Sequence, residues 1–423
     1  MKKRIFAVSV LLAFVLSIFT GCGEKSSVVT LEEPDRETIT LTFFGNKYEP
    51  ENVKIIEEIL SDFMVENPDI RVSYESIKGK EYFDALKKRM AAGKGSDVFM
   101  VNHDVLLELE QQGQVADLSD LSTISSFTDR MCSQMEQNGE IYWVPTTVST
   151  FGLYCNLDLL KAHGQQVPDN LGEWEAVCDY FAGQGLTPII ANNDISLKTM
   201  AIGLGFYAVY QENRQAEVLE QINQGEVKLS DYLRPGFALA ENFLQKGYID
   251  GEKALGTAKT SDDLQEFLQG ESPFMLTGAW AAGRVKAMGP DFAFEVVPLP
   301  LLEDGSLLVI NPDTKLSVNA DSEHLDAAKK FVEYFTQADN IGKFADQQSS
   351  FSPLKDGNPS TVQEVQPLIL DYLEGRTVIG TDALLNLPIW DLTAEASRKL
   401  LAGEPLETVM DELDQQAEED GPQ

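Results

Sequence analysis

Alternating apolar and polar residues at the start of the folded part of the chain predict a β-strand over residues 38–44. Apolar residues at helical spacing follow between positions 53 and 64, and a second alternating strand covers residues 70–74. Another helix, which ends in a turn near Gly93, leads to the nearly continuous apolar run 97–101. Such a run is typical of a strand buried on both faces of a parallel sheet. The order of these elements predicts an α/β open sheet with helices on both faces.

A similar pattern begins again at residue 151, which indicates a second folded unit. The predicted strands of this unit are 151–154, 187–191, 273–277, 292–297 and 316–318, and the predicted helices lie at 157–162, at 174–181, within 196–246 and from 327 onward. After its N-terminal leader the chain has about 400 residues, which is too many for one ordinary hydrophobic core. We therefore expect two lobes or domains.

The first 22 residues have the layout of a secretory leader, with Lys2, Lys3 and Arg4 before a mostly apolar run and small residues before Cys22. They resemble the bacterial lipoprotein signal, which implies cleavage before Cys22 and attachment of lipid to its sulfur. The alternative is a transmembrane anchor, but fifteen apolar residues rise only about 22 Å as a helix, less than the roughly 30 Å hydrocarbon core. We expect a signal peptide at 1–21, a flexible tether at 22–37, and a lipid-anchored protein on the outer face of the cell membrane.

The chain is strongly acidic, with a formal net charge of −35 that becomes −38 when the three basic residues of the leader are removed. Such a surface repels phosphate backbones, so binding of nucleic acid is not expected.

Cysteine and histidine give no sign of a disulfide framework or a metal site. The cysteines beyond Cys22 are odd in number and have no close pair, and the histidines have no zinc-type spacing. These residues are Cys132, Cys155 and Cys178, and His103, His163 and His324. No cofactor is expected.

Residues that follow the predicted strands are candidates for ligand binding, since ligands of open α/β sheets lie beyond the carboxyl ends of the strands. These residues include Asn46, Lys47 and Tyr48 after the first strand, Asp104 after the third, and Trp280 after the strand at 273–277. Each has another interpretation. Asp104 could cap a helix, which residue type alone favours, Trp280 could belong to the core, and Asn46 could be a turn residue.

Several segments taken together resemble the extracellular solute-binding proteins of ABC transporters, in the branch that includes maltose-binding protein. The segments are Asp97-Val-Phe-Met-Val-Asn-His-Asp104, Gly139-Glu-Ile-Tyr-Trp-Val-Pro145, Phe151-Gly-Leu-Tyr-Cys-Asn156, Gly270-Glu-Ser-Pro-Phe-Met-Leu-Thr-Gly-Ala-Trp280, Ala327-Ala-Lys-Lys-Phe-Val-Glu-Tyr-Phe335 and Ser352-Pro353. Each is a weak motif, but their order and spacing form a strong set that covers residues 38–415. The chain departs from the family at Asn311-Pro312-Asp313, where a Gly-Gly pair is common.

The resemblance implies a two-lobed periplasmic-binding-protein-like fold of type II, with the ligand cleft between lobes joined by hinge segments. One lobe would contain residues 38–148 plus 319–370, and the other 149–318 plus 371–423. The chain would cross between the lobes near 148–152 and 317–320. Ligand would then favour hinge closure, since both lobes contact it together in the closed state.

The function implied is capture of a carbohydrate, in particular an oligosaccharide, by a monomer that delivers it to the permease subunits of an ABC importer. No catalytic activity is expected. The alternatives are a sugar-binding sensor or adhesin, a receptor for a peptide or polyamine, and an extracellular hydrolase, for which no nucleophile or zinc motif occurs in the sequence.

In the implied site Trp280 would stack on a sugar ring, and Asp104 would accept hydrogen bonds from two hydroxyl groups. Asn46 and Lys47 would supply further polar contacts from the end of the first strand.

A second aromatic platform would be Phe44 or Tyr48. Thr147 near the crossing, Phe351 before Pro353, and Trp390 complete the candidates, and a core role fits Trp390 equally well.

Overall fold

The computed structural model describes residues 38–355 and 359–420. The predicted signal peptide at 1–21, the tether at 22–37 and the lipidation of Cys22 lie outside these residues.

Twelve strands and seventeen α-helices make up the described part of the chain. The strands are β1 Ile39–Gly45, β2 Ile70–Ser76, β3 Val98–Val101, β4 Glu136–Gln137, β5 Glu140–Ile141, β6 Val144–Asn156, β7 Ile189–Ile190, β8 Phe274–Gly278, β9 Phe294–Val297, β10 Leu299–Leu302, β11 Gly305–Val318 and β12 Thr377–Ile379. The first six helices are α1 Pro50–Glu66, α2 Gly79–Ala91, α3 His103–Gln111, α4 Asp129–Met135, α5 Leu157–Ala162 and α6 Leu171–Gly183. Those of the middle are α7 Ser196–Gln211, α8 Gln215–Asn223, α9 Leu229–Gln245, α10 Gly251–Gly256, α11 Asp262–Phe267 and α12 Ala282–Ala287. The last five are α13 Leu325–Phe335, α14 Ala338–Gln347, α15 Pro367–Glu374, α16 Ile389–Leu401 and α17 Leu406–Asp420.

The long antiparallel strands β6 and β11 connect the two ends of one ten-stranded sheet. Its main order is β2-β1-β3-β11-β6-β8-β7, in which β2, β1 and β3 are parallel. Strands β6 and β11 pair with each other from Val144 to Phe151. The end of β11 then pairs with β3, whereas the end of β6 pairs with β8 and β9. The two strands therefore pass from one half of the sheet into the other.

Two apolar clusters are buried around this sheet. One contains Phe43, Phe63 and Phe331 against the parallel strands, and the other contains Trp174 and Phe237 among the middle helices. The side chain of Trp280 packs against both clusters, so it lies where they meet.

The pattern of the sequence predicts most elements correctly, and the differences include the two crossing strands and the short strand β7. The strand expected at 151–154 extends over all of β6, and the strand expected at 316–318 is the end of the fourteen-residue β11. The strand expected at 187–191 is reduced to two residues. Every residue of β6 is buried, although its first half is rich in threonine and serine. Burial between neighbouring strands therefore overrides the weak local pattern.

Within the two described ranges, no helix combines the length and the apolar character needed to cross a membrane.

Candidate functional site

The ends of β1 and β3 bring several of the candidate residues to one edge of the sheet. Because these strands are parallel neighbours, Asn46 and Lys47 after β1 lie at the same edge as Asp104 after β3. Strand β11 runs antiparallel beside β3 and places Lys315 opposite Val101 at this edge. Residues that are distant in sequence thus meet where the crossing strands leave the first half of the sheet.

Asp104 is not the cap of helix α3, because the side chain of Asn102 accepts the N–H of Val105 at 3.0 Å and caps the helix instead. Asp104 Oδ2 accepts the N–H of Asp391 at 3.3 Å, whereas buried Oδ1 has no hydrogen-bond partner among the described residues. Burial and, secondarily, the carboxylate of Asp391 raise the pKa of Asp104 to about 7. The carboxyl group therefore keeps an acceptor for a ligand and titrates near neutral pH.

Lys315 is a buried cation near the end of β11. Its Nζ lies 4.1 Å from the centre of the Trp143 ring, and within the described part of the chain it makes no hydrogen bond. Burial lowers the pKa of Lys315 to about 8, although nearby carboxylates, Asp313 and Asp104 first among them, oppose this shift. At pH 7 the side chain is therefore mostly charged and has unused donors.

Lys198 of helix α7 is a second buried cation, and in contrast to Lys315 it is fully paired. Its Nζ lies 2.5 Å from Asp194 Oδ1, donates to the carbonyl oxygen of Trp390 at 3.2 Å, and lies 4.0 Å from the centre of that tryptophan ring. Lys198 thereby fixes the position of Trp390.

Trp280 and Trp390 both contact Phe151 in the second half of β6. The ring of Trp280 meets Phe151 edge to face at 5.1 Å between centroids, and Trp390 lies tilted at 5.2 Å. Gly278 is required here because a Cβ at that position would overlap the ring of Trp280. Both tryptophans remain partly accessible, so each packs on Phe151 while part of its ring stays exposed.

The residues after β1 supply a further set of candidate groups. Asn46 Oδ1 is buried and has no hydrogen-bond partner in the described ranges. The backbone of Lys47 is held by the hydroxyl of Tyr74, which donates to its carbonyl oxygen at 2.9 Å. Burial lowers the pKa of Lys47, with Asp313 and Glu49 opposing the shift. Tyr48 is 38% exposed and therefore accessible to a ligand or to solvent.

On one flank of the candidate site, helix α12 contacts the loop after β1 and the segment after α14. Arg284 Nη1 lies 3.7 Å from Glu49 Oε1 and also donates to the carbonyl oxygen of Thr260 at 3.1 Å. The N–H of Gly283 donates to Ser349 Oγ at 3.2 Å. On the other flank, Asp104 contacts the backbone at the start of α16.

Three of the candidates lie in the packed interior. Phe44 is fully buried and packs on Tyr82 at 4.5 Å between ring centroids. Phe351 is also fully buried and pairs through its backbone with Val148 of β6. Thr147 is buried, with Oγ1 3.5 Å from the hydroxyl of Thr314. These three side chains are packed inside the protein, whereas Asn46, Asp104, Trp280 and Trp390 keep a partly accessible surface or an unpartnered polar atom among the described residues.

The interpretation of the sequence missed Lys198, Lys315 and Phe151, together with the hydroxyl groups of Ser149 and Thr150, which are buried without partners among the described residues. A signal exists in the sequence for Lys198, which lies near the start of the mostly apolar helix α7. Lys315 gives no such signal, because it follows the polar run Asn311-Pro312-Asp313-Thr314. Lysine is almost never fully buried unless it is paired or functional. No such signal exists for the serine and threonine, whose burial depends on the pairing of β6 with β11.

Among the described residues, no group of three or more His, Cys, Asp and Glu side chains is arranged to hold a metal ion. Cys132, Cys155 and Cys178 are free thiols, and burial raises the pKa of each.

Known proteins of similar sequence and structure are solute-binding proteins. A family model for bacterial extracellular solute-binding proteins matches residues 58–365. The multiple sugar-binding protein of Streptococcus mutans is 24% identical over 360 residues, which is 83% of each chain. The maltodextrin-binding protein MdxE of Bacillus subtilis is 28% identical over 257 residues, covering 59% of this chain and 58% of that protein.

Among solved structures, the solute-binding protein RafE in complex with raffinose superposes with a TM-score of 0.74 at 24% identity, covering 91% of this chain and 100% of RafE. This agreement confirms the two-lobed α/β fold predicted from the sequence. The match of the family model likewise confirms the resemblance found in the segments around Asp104 and Trp280. The chain belongs to the family of bacterial extracellular solute-binding proteins.

Proposed function

We propose that this protein captures an oligosaccharide outside the cell and delivers it, chemically unchanged, to the permease of an ABC importer. The observation that carries the proposal is the meeting of two partly accessible tryptophans with buried polar atoms that have no partner in the described part of the chain. The polar atoms are Asn46 Oδ1, Asp104 Oδ1 and Lys315 Nζ.

A sugar ring matches this combination of groups. Its C–H face packs on an aromatic ring, and its hydroxyl groups both donate and accept hydrogen bonds. Buried polar groups are normally hydrogen-bonded, so unpartnered ones point to a ligand that satisfies them. Trp280 would supply the main stacking surface and Trp390 the second, with Tyr48 at the open end of the site.

The charges around the site disfavour a polyamine. Lys198 and Arg284 are paired with Asp194 and Glu49, but the buried ammonium group of Lys315 has no hydrogen-bond partner among the described residues and would repel a multiply charged cation. The relatives also support a sugar as the ligand, since they include a multiple sugar-binding protein, a maltodextrin-binding protein and a maltotriose-binding protein.

Strands β6 and β11 would act as the hinge between the lobes. In this proposal residues 38–148 with 319–370 move against 149–318 with 371–423, and a ligand held between Asp104 and Trp280 favours the closed arrangement. The direct contacts Asp104 to Asp391 and Glu49 to Arg284 would break on opening.

The N-terminal residues supply the proposed attachment to the membrane. Cleavage before Cys22 and lipidation of its sulfur would hold the monomer near its permease. Replacement of Cys22 by Ser should release the protein from membranes and abolish incorporation of labelled palmitate. If Cys22→Ser protein stays membrane-bound, another anchor holds it.

A thermal-shift screen of the purified protein tests the proposed ligand class. The panel contains raffinose, stachyose, maltotriose and arabinotriose, with spermidine and a tripeptide as other solutes. A sugar at one hundred times its Kd should stabilise the protein by about 2.7 kcal/mol. Chromatography of the sugar after incubation should show no product. A shift with spermidine or the tripeptide alone would refute the assignment, and any sugar product would refute the non-catalytic role.

Trp280→Ala tests the site with the sugar that gives the largest shift. Loss of the stacking surface should weaken binding at least tenfold, and Trp280→Phe should retain part of the affinity. Tyr180→Ala is the matched control, since Tyr180 is an exposed aromatic residue on helix α6. If Trp280→Ala binds like the wild-type protein, Trp280 serves the core alone.

A further inference from the structure

Lys315 has an environment that its own protein contacts do not explain. Its side chain is 2% exposed, and in the described part of the chain Nζ contacts the Trp143 ring but no oxygen within hydrogen-bond distance. One ring face replaces a small part of the hydration that a buried ammonium group loses. A charged group in this situation needs a further acceptor.

One oxygen of Asp104 lacks a hydrogen-bond donor among the described residues, just as Lys315 lacks an acceptor. Its Oδ2 accepts one backbone N–H, from Asp391, but its buried Oδ1 accepts none from the described residues. Lys315 pairs with Val101 at the end of β3, three residues before Asp104, so the two opposite charges lie at the same edge of the sheet. Each shifts the pKa of the other toward the charged form. Nevertheless the two groups form no direct hydrogen bond or ion pair within the described part of the chain.

We propose that Lys315 and Asp104 bind the same hydroxyl group of a sugar, with Lys315 Nζ donating to the hydroxyl oxygen and Asp104 Oδ1 accepting its hydrogen. This inference rests on the proposed function and makes Lys315 a specificity-determining residue. A hydroxyl group is both donor and acceptor, so it satisfies both partners at once. Asp104 repels a carboxylate and Lys315 repels an ammonium group, so the pair selects a neutral carbohydrate.

Other charged groups face this pair and contribute to its titration. Those around Lys315 are Asp313 on its own strand, His103 and Glu110 on α3, and Asp382 after β12, and those around Asp104 are Asp391 and Lys198. Burial holds the pKa of His103 at about 3, so this ring stays neutral above pH 5. Burial raises the pKa of Glu110 to about 7 and lowers that of Lys198 to about 8, so variants must separate these groups from Asp104 and Lys315.

The pH dependence of the Kd tests the inference, with raffinose, stachyose and maltotriose as probes from pH 5.5 to 9.5. Affinity should be highest between about 7 and 8. Protonation of Asp104 removes the acceptor below this range, and deprotonation of Lys315 removes the charged donor above it, so affinity should fall up to tenfold per pH unit on each side.

Variants identify the residue that causes each side of this pH profile. The acid limb is the fall in affinity below about pH 7, and the alkaline limb is the fall above about pH 8. Lys315→Met should weaken binding at least tenfold at pH 7.5 and remove the alkaline limb, while Lys315→Arg should retain binding up to pH 9.5. Glu110→Gln should keep the acid limb, which then belongs to Asp104. Lys330→Met, at an exposed lysine of α13, is the control and should change neither the Kd nor its pH dependence.

Several results would overturn the inference. A Kd that does not change with pH in the wild-type protein would overturn it. This measurement needs no variant, so it remains decisive even if Lys315→Met fails to fold. An alkaline limb that persists in Lys315→Met assigns that limb to Lys198 and refutes the role of Lys315. Tighter binding of trigalacturonate than of every neutral probe refutes the selection of neutral sugars. Binding without pH dependence leaves the proposed function intact, whereas the absence of sugar binding at every pH refutes both.

Discussion

Replacement of Asp104 by Asn should stabilise the ligand-free protein at pH 8, because the folded state holds this carboxylate in an unfavourable environment. The pKa rises from 3.8 to about 7 on folding, which corresponds to a penalty on the order of 4 kcal/mol once the group is charged. Asp104 retains some contact with solvent, so screening reduces the expected gain to on the order of 2 kcal/mol. The oxygen of the introduced amide can still accept the N–H of Asp391.

The sign of the effect depends on pH in a defined way. Between about pH 4 and 7 the folded wild-type protein binds more protons than the unfolded chain, so its stability falls as the pH rises through this window. The amide introduced by Asp104→Asn does not titrate. The difference between variant and wild type should therefore be absent at pH 3, grow between pH 4 and 7, and be complete above pH 8.

Urea denaturation of both proteins across this pH range measures the effect, with Asp84→Asn as the control because Asp84 is exposed on helix α2. The same substitution at Asp104 should weaken sugar binding, so stability and affinity should change in opposite directions. An equal gain at pH 4 and pH 8, or no gain at pH 8, would refute the assignment of a strained, functional carboxylate.

Three further substitutions test separate features of the structure. Thr314 is a β-branched residue with φ of 45° in the middle of β11, so Thr314→Gly should raise the free energy of unfolding by about 1 kcal/mol in urea, and a loss would show that side-chain contacts outweigh backbone strain. Gly278→Ala should displace the ring of Trp280, lower stability by about 1–3 kcal/mol and weaken sugar binding, while Gly256→Ala, where a Cβ meets open space, should leave the binding unchanged. The pKa of His103 is lowered from 6.5 to about 3, so the unfolded chain binds more protons in this window and the wild-type protein loses stability as the pH falls through it. His103→Gln should reduce this acid-induced loss by on the order of 3 kcal/mol in denaturation experiments at pH 7 and pH 4, and an unchanged loss would assign it to other groups.

Local patterns of the sequence are sufficient for the first half of the sheet. Strands β1 and β2 alternate clearly, β3 is a continuous apolar run, and the helices between them carry apolar residues at helical spacing. Each of these signals reflects one element burying its own face, so it can be recognised without knowledge of its neighbours.

The crossing strands show where local patterns fail. The beginning of β6 contains Pro145, two threonines and a serine, and the middle of β11 contains Asn311, Pro312 and Asp313. Neither segment looks like a strand by itself. Pairing of the two segments with each other, and with β3 and β8 at their ends, satisfies the backbone groups of both.

For the site, local sequence predicts which kinds of groups follow the strands, and the order of the motifs identifies the family. Asp104 and Trp280 are among the candidates, but residue type favours a helix cap for the first and a core position for the second. Packing answers the first question, since Asn102 takes the cap. It also places Trp280 where the two apolar clusters meet, with part of its surface accessible. Only the folded chain shows that Lys315 lies near Asp104 without bonding to it. The physical reason is that a missing hydrogen bond is a property of the whole environment of an atom, and that environment is assembled from distant parts of the chain.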